Sequence, residues 1–134
     1  MVAPKIFPVI LCGGGGTRLW PLSLKSKPKP FVPLIGDKTL FEQAIARVSN
    51  PDHFAPVCVV AGEAHVDLVE SQLGGASDTS LIVEPSGRNT APAIALAAAR
   101  LAPEAVMLVC PSDHHIADEE AFEQAALAAA DLAR

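Results

Sequence analysis

The chain is 134 residues long, half hydrophobic and 19% charged, so it carries enough apolar material for one packed domain and lacks the composition of a disordered segment. Its net charge of -5 argues against a nucleic-acid backbone as partner, because phosphate tracking needs a basic surface; a single nucleotide, which needs only a few local donors, stays open. No apolar run reaches the length of a membrane span, residues 1–10 lack the pattern of a signal peptide, and Cys12, Cys58 and Cys110 have no CxxC spacing. Three such thiols in or beside apolar runs read as buried and free, in a reducing, cytoplasmic setting.

In chain order, residues 6–11 (IFPVIL) form an apolar run that ends at glycines and predict a buried strand, despite Pro8. Residues 39–48 (TLFEQAIARV) have helical spacing, with Leu40, Ala44, Ile45 and Val48 on one face and Thr39 with Glu42 approximating a capping box. A second strand is predicted over 56–61 (PVCVVA). A second helix follows over 63–73, with Val66, Val69 and Leu73 as its stripe and Gly74 at its end. Residues 80–83 (SLIV) predict a third strand, and 91–101 a closely packed, alanine-rich helix. Residues 105–110 (AVMLVC) predict a fourth strand, and 118–134 a fourth helix with acids in its first turn, where the helix dipole favours them.

Strands apolar throughout and alternating with helices indicate a doubly wound α/β fold, a mainly parallel sheet covered on both faces. Ligands of such sheets bind beyond the carboxyl ends of the strands. Three polar stretches fall there, after Leu11, after Val83 and after Cys110. With four strands and an end inside an alanine-rich helix, residues 1–134 read as part of a larger domain.

The first stretch, CGGGGTRLWPL, fits neither GxxxxGK[ST] nor GxGxxG, yet glycines after a strand let backbone N–H groups approach phosphate closely. Arg18 adds a forked donor suited to phosphate, and Trp20 reads as a packing anchor. Downstream, Pro28 and Pro30 flank Lys29 and fix the backbone on both sides of that one lysine. In EPSGRNTAPA, Asn89 or Thr90 reads as a helix cap. Glu84 is an acceptor-only group that suits the two adjacent donors on the Watson–Crick edge of guanine. In CPSDHHIAD, Asp113 stands at a strand end, where a hard carboxylate oxygen suits Mg2+, and His114 reads as its hydrogen-bonding neighbour. The two adjacent histidines point apart and have no third ligand at zinc spacing, while His53 and His65 read as surface residues.

GGGGTRLWPL followed by KPKPFVPL resembles the signature of the sugar-1-phosphate nucleotidyltransferase family. With EPSGRNTAPAIALAA and PSDHHIAD in the same order, the chain resembles its mannose-1-phosphate guanylyltransferase branch from Pro8 to about Phe122. The resemblance implies a Rossmann-like nucleotidyltransferase fold, of which residues 1–134 would be the N-terminal, nucleotide-binding portion. It implies that Gly13 and Gly14 wrap the nucleotide, and that Arg18 and Lys29 bind the triphosphate and the incoming sugar phosphate. Glu84, Asn89 and Thr90 would lie at the guanine, and Asp113 would hold the catalytic Mg2+. The implied substrates are GTP and mannose 1-phosphate, with no nucleic acid and no membrane; a homo-oligomer is compatible with the sequence. Departures from the branch pattern, such as Leu24, Lys27 and Pro30, bear on the fine detail of sugar phosphate binding. The sugar-binding segment and second metal-binding aspartate of the family would lie beyond residue 134, so this stretch alone is expected to bind nucleotide weakly and not to turn over. Other sugar phosphates or nucleotides, or a non-catalytic regulatory domain, are the competing readings.

Overall fold

A computed structural model describes residues 4–12, 21, 22, 24, 27–74, 78–85 and 90–134. Among the described residues four strands alternate with four α-helices: β1 (Phe7–Cys12), α1 (Leu40–Arg47), β2 (Cys58–Gly62), α2 (Val66–Leu73), β3 (Ser80–Glu84), α3 (Thr90–Ala98), β4 (Met107–Pro111) and α4 (Glu119–Ala133). The strands pair in parallel in the order β3-β2-β1-β4, with registers Val9↔Cys58, Ile10↔Cys110 and Gly62↔Glu84. This is the doubly wound α/β arrangement expected from the alternating pattern.

The central strand β1 alternates its side chains between two cores, as the pleat requires. Ile10 and Cys12 join Val59, Ala61 and Cys110 on one face, under Phe41 and Ala44 of α1, Val48 just past its end, Val69 of α2 and Ala126 and Ala130 of α4. Val9 joins Val60 and Ile82 on the other face, under Ala93 and Ala97 of α3. Pro8 is fully buried in this central strand, a position proline normally avoids. On the β2 side the pairing runs from the isolated Ile6–Phe54 bridge to Val9↔Cys58, so the missing N–H of Pro8 falls in the gap between them.

The helix starts follow their local chemistry. Thr39 Oγ1 accepts from the Glu42 amide at 3.1 Å, and Glu42 Oε1 accepts from the Thr39 amide at 2.9 Å, completing the expected capping box. Asp118 caps α4 by accepting from the Ala121 amide at 2.9 Å, with Glu119 and Glu120 in the first turn. Gly74, at φ 63, ends α2 in the left-handed conformation that glycine tolerates.

Three expectations need correction. The second helix does not begin at 63, because Glu63–His65 form a tighter 3-10 turn and α2 starts at Val66. α3 ends at Ala98, where Arg100 and Leu101 donate three residues back, to Ala97 and Ala98, and tighten the turn. Nor is α3 packed on most faces: among its described residues only Ala93 and Ala97 are buried, and Leu96 is exposed. All three cysteines are free; Cys12 and Cys110 are buried and Cys58 is half-buried. Among the described residues, no helix is long and apolar enough to cross a membrane.

Candidate active site

All four strands end at one edge of the sheet, and the chain reverses its direction of travel beside β1: β2 and β3 lie on one side, β4 on the other. Such a switch point is where open α/β sheets hold their ligands. Two strand ends flank it. Residues 13–20 follow Cys12 at the end of β1, and Ser112 and Asp113 follow Pro111 at the end of β4.

The two strand ends are tied beneath the site. The β1–β4 ladder reaches Leu11↔Pro111, and one step on, the Ser112 side chain hydrogen-bonds the Cys12 thiol. Both residues are buried. Burial pushes the Cys12 thiol up to about 12; the Ser112 bond opposes that, and the nearby Asp113 charge adds to it. Cys12 is therefore a neutral thiol in the floor of the site, and not a nucleophile.

Lys29 lies in the connection between β1 and α1. Pro28 is extended (φ -70, ψ 168), and Lys29–Phe31 close a single 3-10 turn in which Val32 N–H donates to the Lys29 carbonyl. The turn is held from below by Phe31, which is 1% exposed and packs its ring 5.3 Å from that of Phe41 and 6.0 Å from that of His65. His65 is thus half-buried against Phe31 and is not the plain surface residue the sequence suggested. Gln72 Nε2 donates to the Phe31 carbonyl at 3.3 Å, and Thr39 Oγ1 donates to Gln72 Oε1 at 2.6 Å. The flanking prolines and this buried anchor deliver the one lysine to the mouth of the switch point.

There Lys29 Nζ lies 3.9 Å from Asp113 Oδ2, while Asp113 Oδ1 lies 3.8 Å from His114 Nε2. The Lys29 and Asp113 side chains are 36% and 41% exposed, so the pair is open to water and to a ligand. His114 stands beside Asp113 as expected, but at 3.8 Å it is beyond hydrogen-bond distance. Among the described residues no three His, Cys, Asp or Glu side chains converge as a metal cluster, and Asp113 stands as a lone carboxylate.

Glu84 ends β3 and is only 8% exposed, on the sheet face it shares with Ile82. Three strand spacings separate β3 from β4, which puts the Glu84 and Asp113 ends about 14 Å apart across the sheet edge. Thr90 is the exposed first residue of α3 rather than the capping residue before it. Gly13, Gly14, Arg18, Trp20 and Asn89 lie outside the described residues.

Two residues of α1 belong to this region and were missed in the sequence. Arg47 is 5% exposed; its Nη2 donates to the His114 carbonyl at 3.1 Å, and its guanidinium lies 5.4 Å over the Phe122 ring. Burial lowers its pKa, partly offset by Cys110 and Glu119, and its Nε is buried with no hydrogen-bond partner among the described residues. Gln43, one turn earlier, donates to the Ile35 and Lys38 carbonyls at 3.2 and 3.3 Å and meets His115 Nδ1 at 3.1 Å through Oε1. A signal for Arg47 did exist: three residues after Ala44 and seven after Leu40, it falls on the buried stripe of α1.

The profile of the Nucleotidyl transferase family matches residues 7–134. The chain belongs to the nucleotidyl transferase family. This nucleotidyl transferase is 46% identical over 125 residues to the alginate biosynthesis protein AlgA of Pseudomonas aeruginosa, covering 90% of this chain and 26% of that one. It is 46% identical over 132 residues to the mannose-1-phosphate guanylyltransferase of Escherichia coli, covering 93% and 27%. The chain thus spans about a quarter of the length of these curated relatives. Among solved structures, one from Thermus thermophilus, described as a mannose-1-phosphate geranyltransferase, superposes with a TM-score of 0.82 at 33% identity, over 93% of this chain and 37% of that one. A 4-diphosphocytidyl-2C-methyl-D-erythritolsynthase from Anaerococcus prevotii shares the fold of this nucleotidyl transferase at a TM-score of 0.65 and 17% identity, over 94% and 51% of the two chains.

Proposed function

We propose that residues 1–134 form the nucleotide-binding part of an enzyme that transfers GMP from GTP to mannose 1-phosphate, giving GDP-mannose and pyrophosphate. The observation that carries this reading is the Lys29–Asp113 pair, 3.9 Å apart at the carboxyl edge beside the switch point. The Escherichia coli relative, 46% identical and named mannose-1-phosphate guanylyltransferase, supports the substrate class.

A phosphate oxygen of mannose 1-phosphate is already anionic near neutral pH, so no side-chain nucleophile is required. That oxygen forms a bond to the α-phosphorus of GTP as the bond from the α-phosphorus to the bridging oxygen of pyrophosphate breaks, and pyrophosphate leaves with the electron pair. The protein's part is positioning and charge compensation. Lys29 brings one fixed cation to the triphosphate, and Arg18 would bring a second from the glycine loop. Gly13 and Gly14 would let the backbone close on the phosphates.

Asp113 suits one ligand position of Mg2+: it is a hard, half-exposed oxygen donor at a strand end, and Mg2+ usually takes one or two carboxylates and fills its shell with water and phosphate oxygens. Bound there, Mg2+ would supply charge stabilisation to the phosphates. At the other end of the sheet edge, the buried Glu84 carboxylate would accept from both donors of the guanine edge, with Asn89 and Thr90 beside it.

The test is turnover of GTP against ATP, UTP and dTTP by the full-length protein with mannose 1-phosphate. GTP is expected to lead, because other bases present acceptors to Glu84. A preference for UTP would remove the guanine assignment, and absence of turnover with every pair would leave a nucleotide-binding domain without this chemistry.

A further inference from the structure

The polar contacts around Asp113 divide into those made by its own carboxylate and those that hold its backbone. The carboxylate faces Lys29 and His114. The segment beyond it is held from α1, at the backbone by Arg47 on the His114 carbonyl and at a side chain by Gln43 on the His115 ring. Gln43 and Arg47 are four residues apart and so lie one above the other on a single helix face. Both amide hydrogens of Gln43 go to the Ile35 and Lys38 carbonyls, which leaves Oε1 as the acceptor and His115 Nδ1 as the donor.

Arg47 is an expensive way to satisfy one carbonyl. Its guanidinium is almost wholly out of water, no carboxylate of the described residues lies within ion-pair distance, and Nε is left without an acceptor. The Phe122 ring 5.4 Å away offsets part of that cost. An apolar side chain would fill this place at no loss of stability, since replacing a buried charge by a group of similar volume is often neutral or favourable. What an apolar side chain cannot do is hold the His114 carbonyl.

We infer that Arg47 and Gln43 are positioning residues which clamp His114 and His115 to α1 and so fix the direction of the Asp113 carboxylate toward the metal and phosphates. The inference rests on Asp113 as the metal ligand. Because α1 is also capped by Thr39, whose hydroxyl donates to the Gln72 that holds the Phe31 carbonyl, one helix and its cap set both members of the Lys29–Asp113 pair.

The experiment uses the full-length protein with Mn2+ titrated by electron paramagnetic resonance in the presence of a non-hydrolysable GTP analogue. Hydrogen exchange is followed at the amides of 113–116. Arg47→Met is expected to raise the Mn2+ concentration for half-occupancy by about tenfold or more, the usual scale for loss of a group that orients a ligand. Affinity for the analogue without metal should stay within about twofold. Exchange at 113–116 should quicken while β1 and β2 amides keep their protection, and Arg47→Lys, which retains a donor, should recover most of both effects. Wild-type Mn2+ affinity together with unchanged exchange in Arg47→Met overturns the clamp. If Arg47→Met does not fold, Gln43→Leu makes the same comparison from the exposed end, with quicker exchange at 114–116 in support and unchanged exchange against. Asp113→Asn separates the two layers: unchanged Mn2+ affinity there refutes the ligand reading of Asp113, while the exchange data still decide the clamp.

Discussion

Lys29→Met separates what the Lys29–Asp113 pair does for the fold from what it does for the reaction. Two unit charges 3.9 Å apart attract by about 1 kcal/mol in a water-like medium, and side chains 36% and 41% exposed sit close to that limit. Holding a long lysine in one geometry cancels part of the gain, so exposed pairs are worth about 0–1 kcal/mol. Removing the ammonium while keeping the apolar stem should therefore move the melting temperature by a few degrees at most. In the transition state the same ammonium would face phosphate oxygens, where one fixed donor to the developing charge contributes about 100- to 1,000-fold in rate. The assay is steady-state kinetics of the full-length protein with GTP and mannose 1-phosphate, beside a thermal melt of the same preparation. A fall of kcat/KM by about 100-fold or more with a nearly unchanged melt is expected. Wild-type kcat/KM would refute the role of Lys29, and a collapse of the melt would show that the pair is structural after all.

Two further expectations concern the ground under the site. Phe41→Ala removes a fully buried ring that packs against Phe31, and should lower stability by about 3–5 kcal/mol, read as a shifted urea midpoint; a loss under about 1 kcal/mol would mean that the Phe31–Phe41 contact does not anchor the lysine turn. The Cys12 thiol, at about 12 against an ordinary 9.0, makes stability fall at high pH. Its folded pKa is the higher one, so the stabilisation is complete below pH 9.0 and is lost as pH rises toward 12. Urea midpoints above pH 9.0 should decline by up to about 1.4 kcal/mol per pH unit for this thiol, and Cys12→Ala should flatten that slope; an equal slope in the variant would assign it to other groups.

The fold was legible because its signals are local and redundant. Apolar runs of strand length alternate with helical stripes, and three of the helices carry a start or stop of their own: Thr39 with Glu42, Gly74, and Asp118. The errors fall where local signals weaken. Residues 63–65 have no side-chain cap to set an α-helical start, and the alanines of α3 carry no stripe to show which face is covered. At the site, Lys29 and Asp113 were legible because proline on one side and a strand end on the other leave those charges no packing role.

Arg47 was not legible, although it lies on the buried stripe, because its acceptor is a main-chain carbonyl 67 residues away, and a carbonyl leaves no trace in a sequence. The same holds for Gln72 and the Phe31 carbonyl, 41 residues apart. The division has a physical cause. Groups that would meet the substrate must be particular side chains, so they appear as letters in motifs. Groups that aim them need only reach a carbonyl or a neighbouring polar side chain, so they look like any polar residue on a helix. In this nucleotidyl transferase, both kinds of aiming contact lead back to α1: directly to the Asp113 loop through Gln43 and Arg47, and through Thr39 and Gln72 to the Lys29 turn. A substitution in α1 that shifts the helix along its axis should therefore disturb metal binding and phosphate binding together, although none of these contacts touches the Lys29 ammonium or the Asp113 carboxylate itself.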